Sequence, residues 1–275
     1  MTIINYQNKR FLIVDPIKPS RDSLKQLAQD LNASRIDTSF YPNDVIHMCE
    51  NIDYDVIFLG YDLGLEQKNG QQLLEELRVN KIISRQCVVI IVTAENSQAM
   101  VLAALEHKPD DYLTKPYNFK QLTLRLERCF HKKHNMNKIY KALDDKKHNT
   151  VIELCQETIK QGTPYRLECL GIQSRQYFDL GEFSKAKKIY LSHQNTPNCE
   201  WACMGLGKIA LLEHEYQLAS EIFEKLITNS PHYLSAYDWL AQAFKHVGEI
   251  KKSEATLEQA LTLSPRSVVR LQDYA

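Results

Sequence analysis

YDVIFLGYDLGLEQKNGQQLL, residues 54–74, opens as a short apolar strand from Val56 to Tyr61. It closes with Asn69-Gly70 feeding an amphipathic helix that begins near Gln71. In open α/β sheets, reacting groups sit just beyond the carboxyl ends of the strands. The loop after Leu59 is therefore where an acid belongs, and Gly60 and Asp62 compete for the place.

The flanking segments repeat this strand-to-helix pattern. Phe11 to Val14 is a continuous apolar run, as expected of a strand buried on both faces, and it ends at Asp15-Pro16. Pro19-Ser20 then starts a helix with Leu24, Leu27, Ala28 and Leu31 on one side. A strand from Arg35 to Tyr41 and a short helix after Pro42-Asn43 precede the Val56 strand. Beyond it come an apolar strand from Val88 to Val92, ending at Thr93-Ala94-Glu95, and a helix from Ser97 to about His107. A last strand covers Tyr112 to Pro116, and Asn118 caps a helix from Phe119 onward. Five alternations of strand and helix predict a doubly wound, five-stranded parallel sheet with helices on both faces.

The strand ends carry a resemblance. Asp15 after the first strand, Thr93-Ala94 after the fourth and Lys115-Pro116 after the fifth, within Asp110-Asp111-Tyr112-Leu113-Thr114-Lys115-Pro116, resemble the receiver domain of two-component response regulators. The resemblance covers about Arg10 to His131 and implies a flavodoxin-like fold. It implies that Thr93 and Lys115 hold phosphate oxygens, that Ala94 leaves room for the phosphate, and that Tyr112 reports the switch. Pro116 is implied to follow a cis peptide. Such a domain takes a phosphoryl group on an aspartate after the third strand, with magnesium between phosphate and carboxylates.

The acidic side departs from that pattern. Receivers place two adjacent acids after the first strand, and here Pro16 follows Asp15, so one metal ligand is lost. Counting forward from Asp55 puts the phosphoacceptor at Gly60, which has no side chain. Counting back from Gly70 nominates Asp62, two residues on and on the same face of an ideal strand. Gly60 is the equivalent this reading favours, which makes the domain a pseudo-receiver. Asp62, with magnesium held weakly by Asp15 and Asp62, is the alternative.

Composition narrows the partners. At 275 residues the chain has room for two domains of roughly 100 to 200 residues each. Lys plus Arg and Asp plus Glu both count 34, and neither half carries the basic excess of a nucleic-acid or acidic-membrane binder. No apolar run approaches the ~18 residues of a membrane span, and the first ten residues lack a signal-peptide core. A cytosolic protein is expected. The seven cysteines are scattered and read as small core residues, Cys199 and Cys203 included, although they lie four apart on one helix face.

After His131 the chain changes character. Pro231 and Pro265 stand 34 residues apart, the period of the tetratricopeptide repeat. Tyr237, Leu240-Ala241, Phe244, Gly248, Leu257 and Ala260 fill the interval. One unit earlier stand Leu206-Gly207, Ala210, Tyr216, Ala219, Phe223 and Leu226. Before that come Leu170, Tyr177, Gly181, Phe183, Ala186 and Tyr190. A weaker first unit, Lys132 to Tyr165, has Ala142, Val151, Cys155 and Ile159. Lys132 to Pro265 thus resembles tetratricopeptide repeats, and the expected division is a receiver-like domain over 1–131 and an all-α solenoid over 132–275. The resemblance implies a concave groove built from the first helix of each pair, with Arg175, Lys208, Gln242 and Lys245 as its polar candidates. Ser267 to Tyr274 starts what reads as another repeat, so a piece of a longer repeat protein is expected.

Together these features predict a two-component-type signalling adaptor without catalytic turnover, binding proteins through its repeats. The receiver resemblance implies a histidine kinase or related protein as a further partner, and a homodimer through the face from Ser97 to His131, with Met100, Val101 and Ala104 in it. A flavodoxin-like enzyme or nucleotide binder is disfavoured because Asp15-Pro16-Ile17-Lys18 replaces a glycine-rich phosphate loop. Balanced charge argues against a transcription factor.

Overall fold

The computed structural model describes residues 4–64, 68–94, 109–231 and 233–263. The chain divides into two compact units, Met1–Asp144 and Asp145–Ala275. The expected helix from Ser97 to about His107, and the segment from Ser267 to Tyr274, lie outside the described residues.

In the first unit, β1 (Arg10–Val14), β2 (Arg35–Ser39), β3 (Val56–Gly60), β4 (Val88–Thr93) and β5 (Asp111–Thr114) form one parallel sheet. Its order is β2-β1-β3-β4-β5. Every residue of β3 and β4 is buried, while β2, on one edge, is half open. This burial on both faces explains the unbroken apolar runs.

Alternate residues supply two cores. Phe11, Ile13, Val56, Phe58, Ile90 and Leu113 pack with Leu24, Leu27 and Ala28 of α1 (Lys18–Asp30) and with Leu122, Leu126 and Cys129 of α4 (Phe119–Asp144). Leu12, Val14, Ile57, Leu59, Val89 and Ile91 pack on the other face. Their partners are Val45 and Cys49 of α2 (Pro42–Asn51) and Leu73, Leu74 and Leu77 of α3 (Gly70–Val79). Each such side chain contributes roughly 1.5–3 kcal/mol of burial.

The helix starts follow local chemistry. Asn69 and Gln72 form a reciprocal capping box at the head of α3. Asn118 and Gln121 do the same before α4, Asn118 Oδ1 accepting from the Gln121 N–H at 2.8 Å.

The expected divide at His131 falls inside α4. Lys133 is buried, and its Nζ bonds Asp110 Oδ1 at 2.7 Å and the Arg85 carbonyl at 2.6 Å. Asp110 Oδ2 accepts from the Val89 N–H at 2.9 Å and lies 3.4 Å from Arg78. Arg85 closes on Asp144 at 2.8 Å. These bonds hold the second half of α4 to the first unit, and one of their buried anchors lies two residues past the expected divide. Burial pushes the Lys133 ammonium down, and the Asp110 charge opposes the shift.

The second unit contains α5 (His148–Lys160), α6 (Arg166–Asp179), α7 (Phe183–His193), α8 (Glu200–Leu212), α9 (Tyr216–Asn229), α10 (Ser235–Val247) and α11 (Ile250–Leu263). Left-handed residues mark the turns at Lys146, Gly181, His214 and Gly248, repeating the period in the backbone itself. Non-glycine residues at two of these turns accept a conformation that glycine adopts freely. Close helix approach needs missing side chains: a Cβ on Gly205 would lie 2.3 Å from the Tyr190 ring, and one on Gly207 2.4 Å from Phe223. Six of the seven cysteines are buried, and all seven are free.

Two outcomes follow. Lys133→Met leaves Asp110 with only Arg78 and the Val89 N–H, so urea unfolding of the first unit is expected to show a loss of about 3 kcal/mol. Gly205→Ala overpacks Tyr190 and is expected to cost the second unit roughly 1–3 kcal/mol, read from its helical circular dichroism on heating.

Candidate functional site at the carboxyl ends of the strands

The parallel registers bring the ends of β1, β3, β4 and β5 to one edge, and with them Asp15, Gly60, Thr93 and Lys115. Asp15 is 2 % exposed. Its Oδ1 accepts from the Ile17 N–H at 2.9 Å, and its Oδ2 accepts from the Ser20 hydroxyl at 2.7 Å and from Lys115 Nζ at 2.6 Å. Both carboxylate oxygens are therefore engaged. Arg21 fastens the same turn by donating to the carbonyls of Asp15 and Pro16 at 2.6 and 2.9 Å.

Gly60 closes β3 beside this pair. A Cβ there would stand 3.1 Å from the Val14 carbonyl oxygen and 3.4 Å from Asp15 Cα, so position 60 is the one that faces Asp15. The backbone is tightly seated, because a Cβ on Gly70 would come within 2.2 Å of the Gly60 oxygen. Glycine is needed at position 70 for the head of α3 to reach the strand end, and the Gly70 N–H then donates to the Tyr61 carbonyl at 2.7 Å.

Asp62 is exposed and points elsewhere: its Oδ1 accepts the Gly64 N–H at 3.0 Å, a local turn bond. β3 ends at Gly60, and the Tyr61 N–H makes a last regular bond to the Val92 carbonyl at 2.9 Å, with no extra residue beyond Tyr61 between the strand and Asp62.

Thr93 is buried at the end of β4, and its carbonyl accepts the Lys115 N–H at 2.7 Å. Ala94 is exposed next to it. The Lys115–Pro116 peptide is cis, as the resemblance implied. Tyr112 packs against the α3 side of the sheet, with its hydroxyl enclosed. Burial pushes that hydroxyl up, and Gln71 beside it pulls the other way, yet neither Tyr112 Oη nor Gln71 Nε2 completes a hydrogen bond.

Magnesium is the metal this kind of edge implies. A hard cation of that kind collects about six oxygens. Asp15 has no free carboxylate oxygen, Pro16 and Gly60 supply none, and Asp62 is turned away, so the residues present do not fit it. Among the described residues no group of three His, Cys, Asp or Glu side chains is placed to hold a metal ion.

Residues 11–127 match the family model described as the response regulator receiver domain. The first unit carries a receiver domain. Residues 234–267 match the tetratricopeptide repeat model, which covers α10 and α11 of the all-α unit. The receiver chain is similar to the transcriptional regulatory protein CiaR of Streptococcus pneumoniae, 33 % identical over 123 residues, 44 % of this chain and 51 % of that protein. It is also similar to the aerobic respiration control protein ArcA of Escherichia coli K12, 28 % identical over 134 residues, 48 % of this chain and 53 % of that one. It thus spans about half the length of these curated relatives. A solved two-component response regulator from Clostridium difficile is 26 % identical, with a TM-score of 0.41, covering 45 % of this chain and 97 % of that one.

Two receiver residues escaped the sequence reading, Ser20 and Arg21, which bind the Asp15 turn from the first helical turn. Their signal was the spacing of five and six residues from Asp15, which a helix start brings back onto the strand end. In the repeat unit, Lys208 lies with its Nζ 4.3 Å from the Trp239 ring. Burial and the Arg175 charge push the Lys208 ammonium down, with Asp179 opposing. Arg175, Lys208 and Trp239 therefore share one field. Gln242 and Lys245 are exposed on α10, Lys245 in its last turn, where a cation complements the helix end. Trp239 was the missed member. Among the described residues no helix is long and apolar enough to cross a membrane.

The Asp15–Lys115 pair is nearly dry on one side only, with Lys115 23 % exposed. A double-mutant cycle of Asp15→Asn and Lys115→Met, followed by urea unfolding, is expected to give a coupling of about 2 kcal/mol.

Proposed function

We propose that this chain is a two-component-type signalling adaptor. Its receiver domain docks other proteins without being phosphorylated, and its tetratricopeptide repeats assemble partners. The observation that carries this reading is the glycine at position 60 opposite an Asp15 already neutralised by Lys115. A phosphoryl acceptor must be a carboxylate within reach of that lysine, and the described edge offers none besides Asp15. The receiver then keeps its fold and outer surface, and its conformation is set by sequence rather than by phosphate.

The repeat unit supplies the binding function in this reading. Arg175, Lys208 and Trp239 give its first-helix side an aromatic and cationic character suited to a peptide or helix of a partner protein. A histidine kinase or another two-component protein fits the receiver as a docking partner.

Intact-mass spectrometry after incubation with acetyl phosphate and magnesium tests the receiver half. The expected result is no phosphoryl adduct, with Asp62→Asn unchanged. A magnesium-dependent adduct that disappears in Asp62→Asn would replace this reading with a phosphorylation switch using Asp62.

A further inference from the structure

Among the described residues five lysines lie over aromatic rings, and four of them also hold a carboxylate. Lys9 over Phe130 pairs with Asp55 at 2.8 Å, and Lys133 over Tyr140 pairs with Asp110 at 2.7 Å. Lys185 over Tyr177 pairs with Glu182 at 2.6 Å, and Lys252 over Phe244 pairs with Glu249 at 2.5 Å. Lys208 is the exception. Its Nζ stands nearest to its ring, 4.3 Å from the Trp239 centroid, and it closes no ion pair among the described residues.

The repeat brings a second cation to the same place. Left-handed residues at Gly181, His214 and Gly248 follow α6, α8 and α10, and Arg175, Lys208 and Gln242 each stand six residues before one of them. The three positions therefore fall on one face of successive first helices, and α8 contacts both α6 and α10. Neighbouring axes lie about 8–10 Å apart, a gap that an arginine and a lysine together can close. The Arg175 charge accordingly works with burial to push the Lys208 ammonium down. Asp179, at the end of α6, opposes that effect, yet it closes no ion pair with either cation among the described residues. Arg175 is exposed, and Lys208 and Trp239 are half-buried. Two like charges gathered on one face without a paired carboxylate are complementary to an incoming anion.

We propose, on the reading of the repeats as the partner-binding half of the chain, that the face formed by α6, α8 and α10 takes an acidic peptide segment whose carboxylate draws Lys208 off the Trp239 ring. The carboxylate pairs with Lys208 and Arg175, and a charge-assisted hydrogen bond replaces the weaker cation–π contact. The indole face that Lys208 now covers then receives an apolar side chain of the same segment. Lys208 couples the two requirements, because an apolar segment without the acid meets a covered ring.

The test titrates the unsubstituted full chain with three short synthetic peptides that alternate leucine with glutamate, glutamine or lysine, and reads binding by calorimetry. The glutamate peptide is expected to bind roughly tenfold or more tightly than the glutamine peptide, and to weaken as salt rises. The chain has two tryptophans, so Trp201→Phe leaves Trp239 as the reporter. The glutamate peptide is expected to shift the Trp239 emission, and Lys208→Gln to shift it without peptide. Arg175→Gln is expected to weaken the glutamate peptide and to leave the emission of the chain without peptide unchanged. Equal binding of the glutamate and glutamine peptides, or a preference for the lysine peptide, would overturn the carboxylate and leave the repeats as a binding unit. Binding of the glutamate peptide with Trp239 emission unmoved would overturn the exchange at Lys208. Binding of none of the three would overturn both this assignment and the reading of the repeats beneath it. The comparison of peptides uses the unsubstituted chain and does not depend on any variant folding.

Discussion

Lys115 brings a positive charge to the carboxyl edge of a parallel sheet and meets a single carboxylate there. The first unit's site is organised around that meeting. Asp15 lies at the end of β1 and Lys115 at the end of β5, with β3 and β4 between them. The lysine reaches the carboxylate across the ends of β3 and β4. Ser20 and the Ile17 N–H then complete the carboxylate's hydrogen bonds. A buried carboxylate whose two oxygens both accept hydrogen bonds and which is paired with a lysine has its charge balanced by protein groups. The edge is thus a closed charge balance made wholly of protein groups.

The same rule, that a buried charge must be paired, organises the opposite end of the domain. Asp110 receives Lys133, Arg78 and the Val89 N–H, and through Lys133 it fastens the long last helix well past the place where receiver-like sequence ends. The two ends differ in consequence. At the carboxyl edge the pairing engages the carboxylate that follows β1, and at the other end it fastens a helix. The repeat unit uses the reverse strategy and omits side chains: Gly205 and Gly207 let the rings of Tyr190 and Phe223 lie against helix backbone. Stacked pairs built this way bury apolar surface only against their neighbours, and Lys208 and Trp239 stand on the first helices of two successive pairs, 4.3 Å apart.

Much of this was legible beforehand. The apolar runs at Phe11, Val56 and Val88 gave the sheet, because a strand covered on both faces has no polar alternation to hide it. Asn69 and Asn118 announced helix starts through a side chain that satisfies the first free N–H groups. The 34-residue spacing of Pro231 and Pro265 announced the repeats. The length of α4 was not legible, because nothing in the run after His131 marks Lys133 as a buried anchor rather than a surface lysine. Ser20 and Arg21 were also invisible as site residues, since the site is assembled by a turn of helix folding back on a strand end.

By itself, then, the sequence determined the elements, the parallel sheet, the repeat and the missing side chain at position 60, because each depends on periodicity or on the identity of one residue. Only the tertiary structure shows where Gly60 and Asp62 stand, the first beside Asp15 and the second turned to the Gly64 N–H. Two residues in one chain share a face of an ideal strand, and choosing between them requires knowing where the strand stops. β3 ends at Gly60, after which the Tyr61 N–H makes one last bond to the Val92 carbonyl, and the turn bond from Gly64 engages the exposed Asp62 carboxylate. The partners of Asp15 and Lys133 were decided in the same way, by strands and helices distant in sequence and brought together only when the cores close.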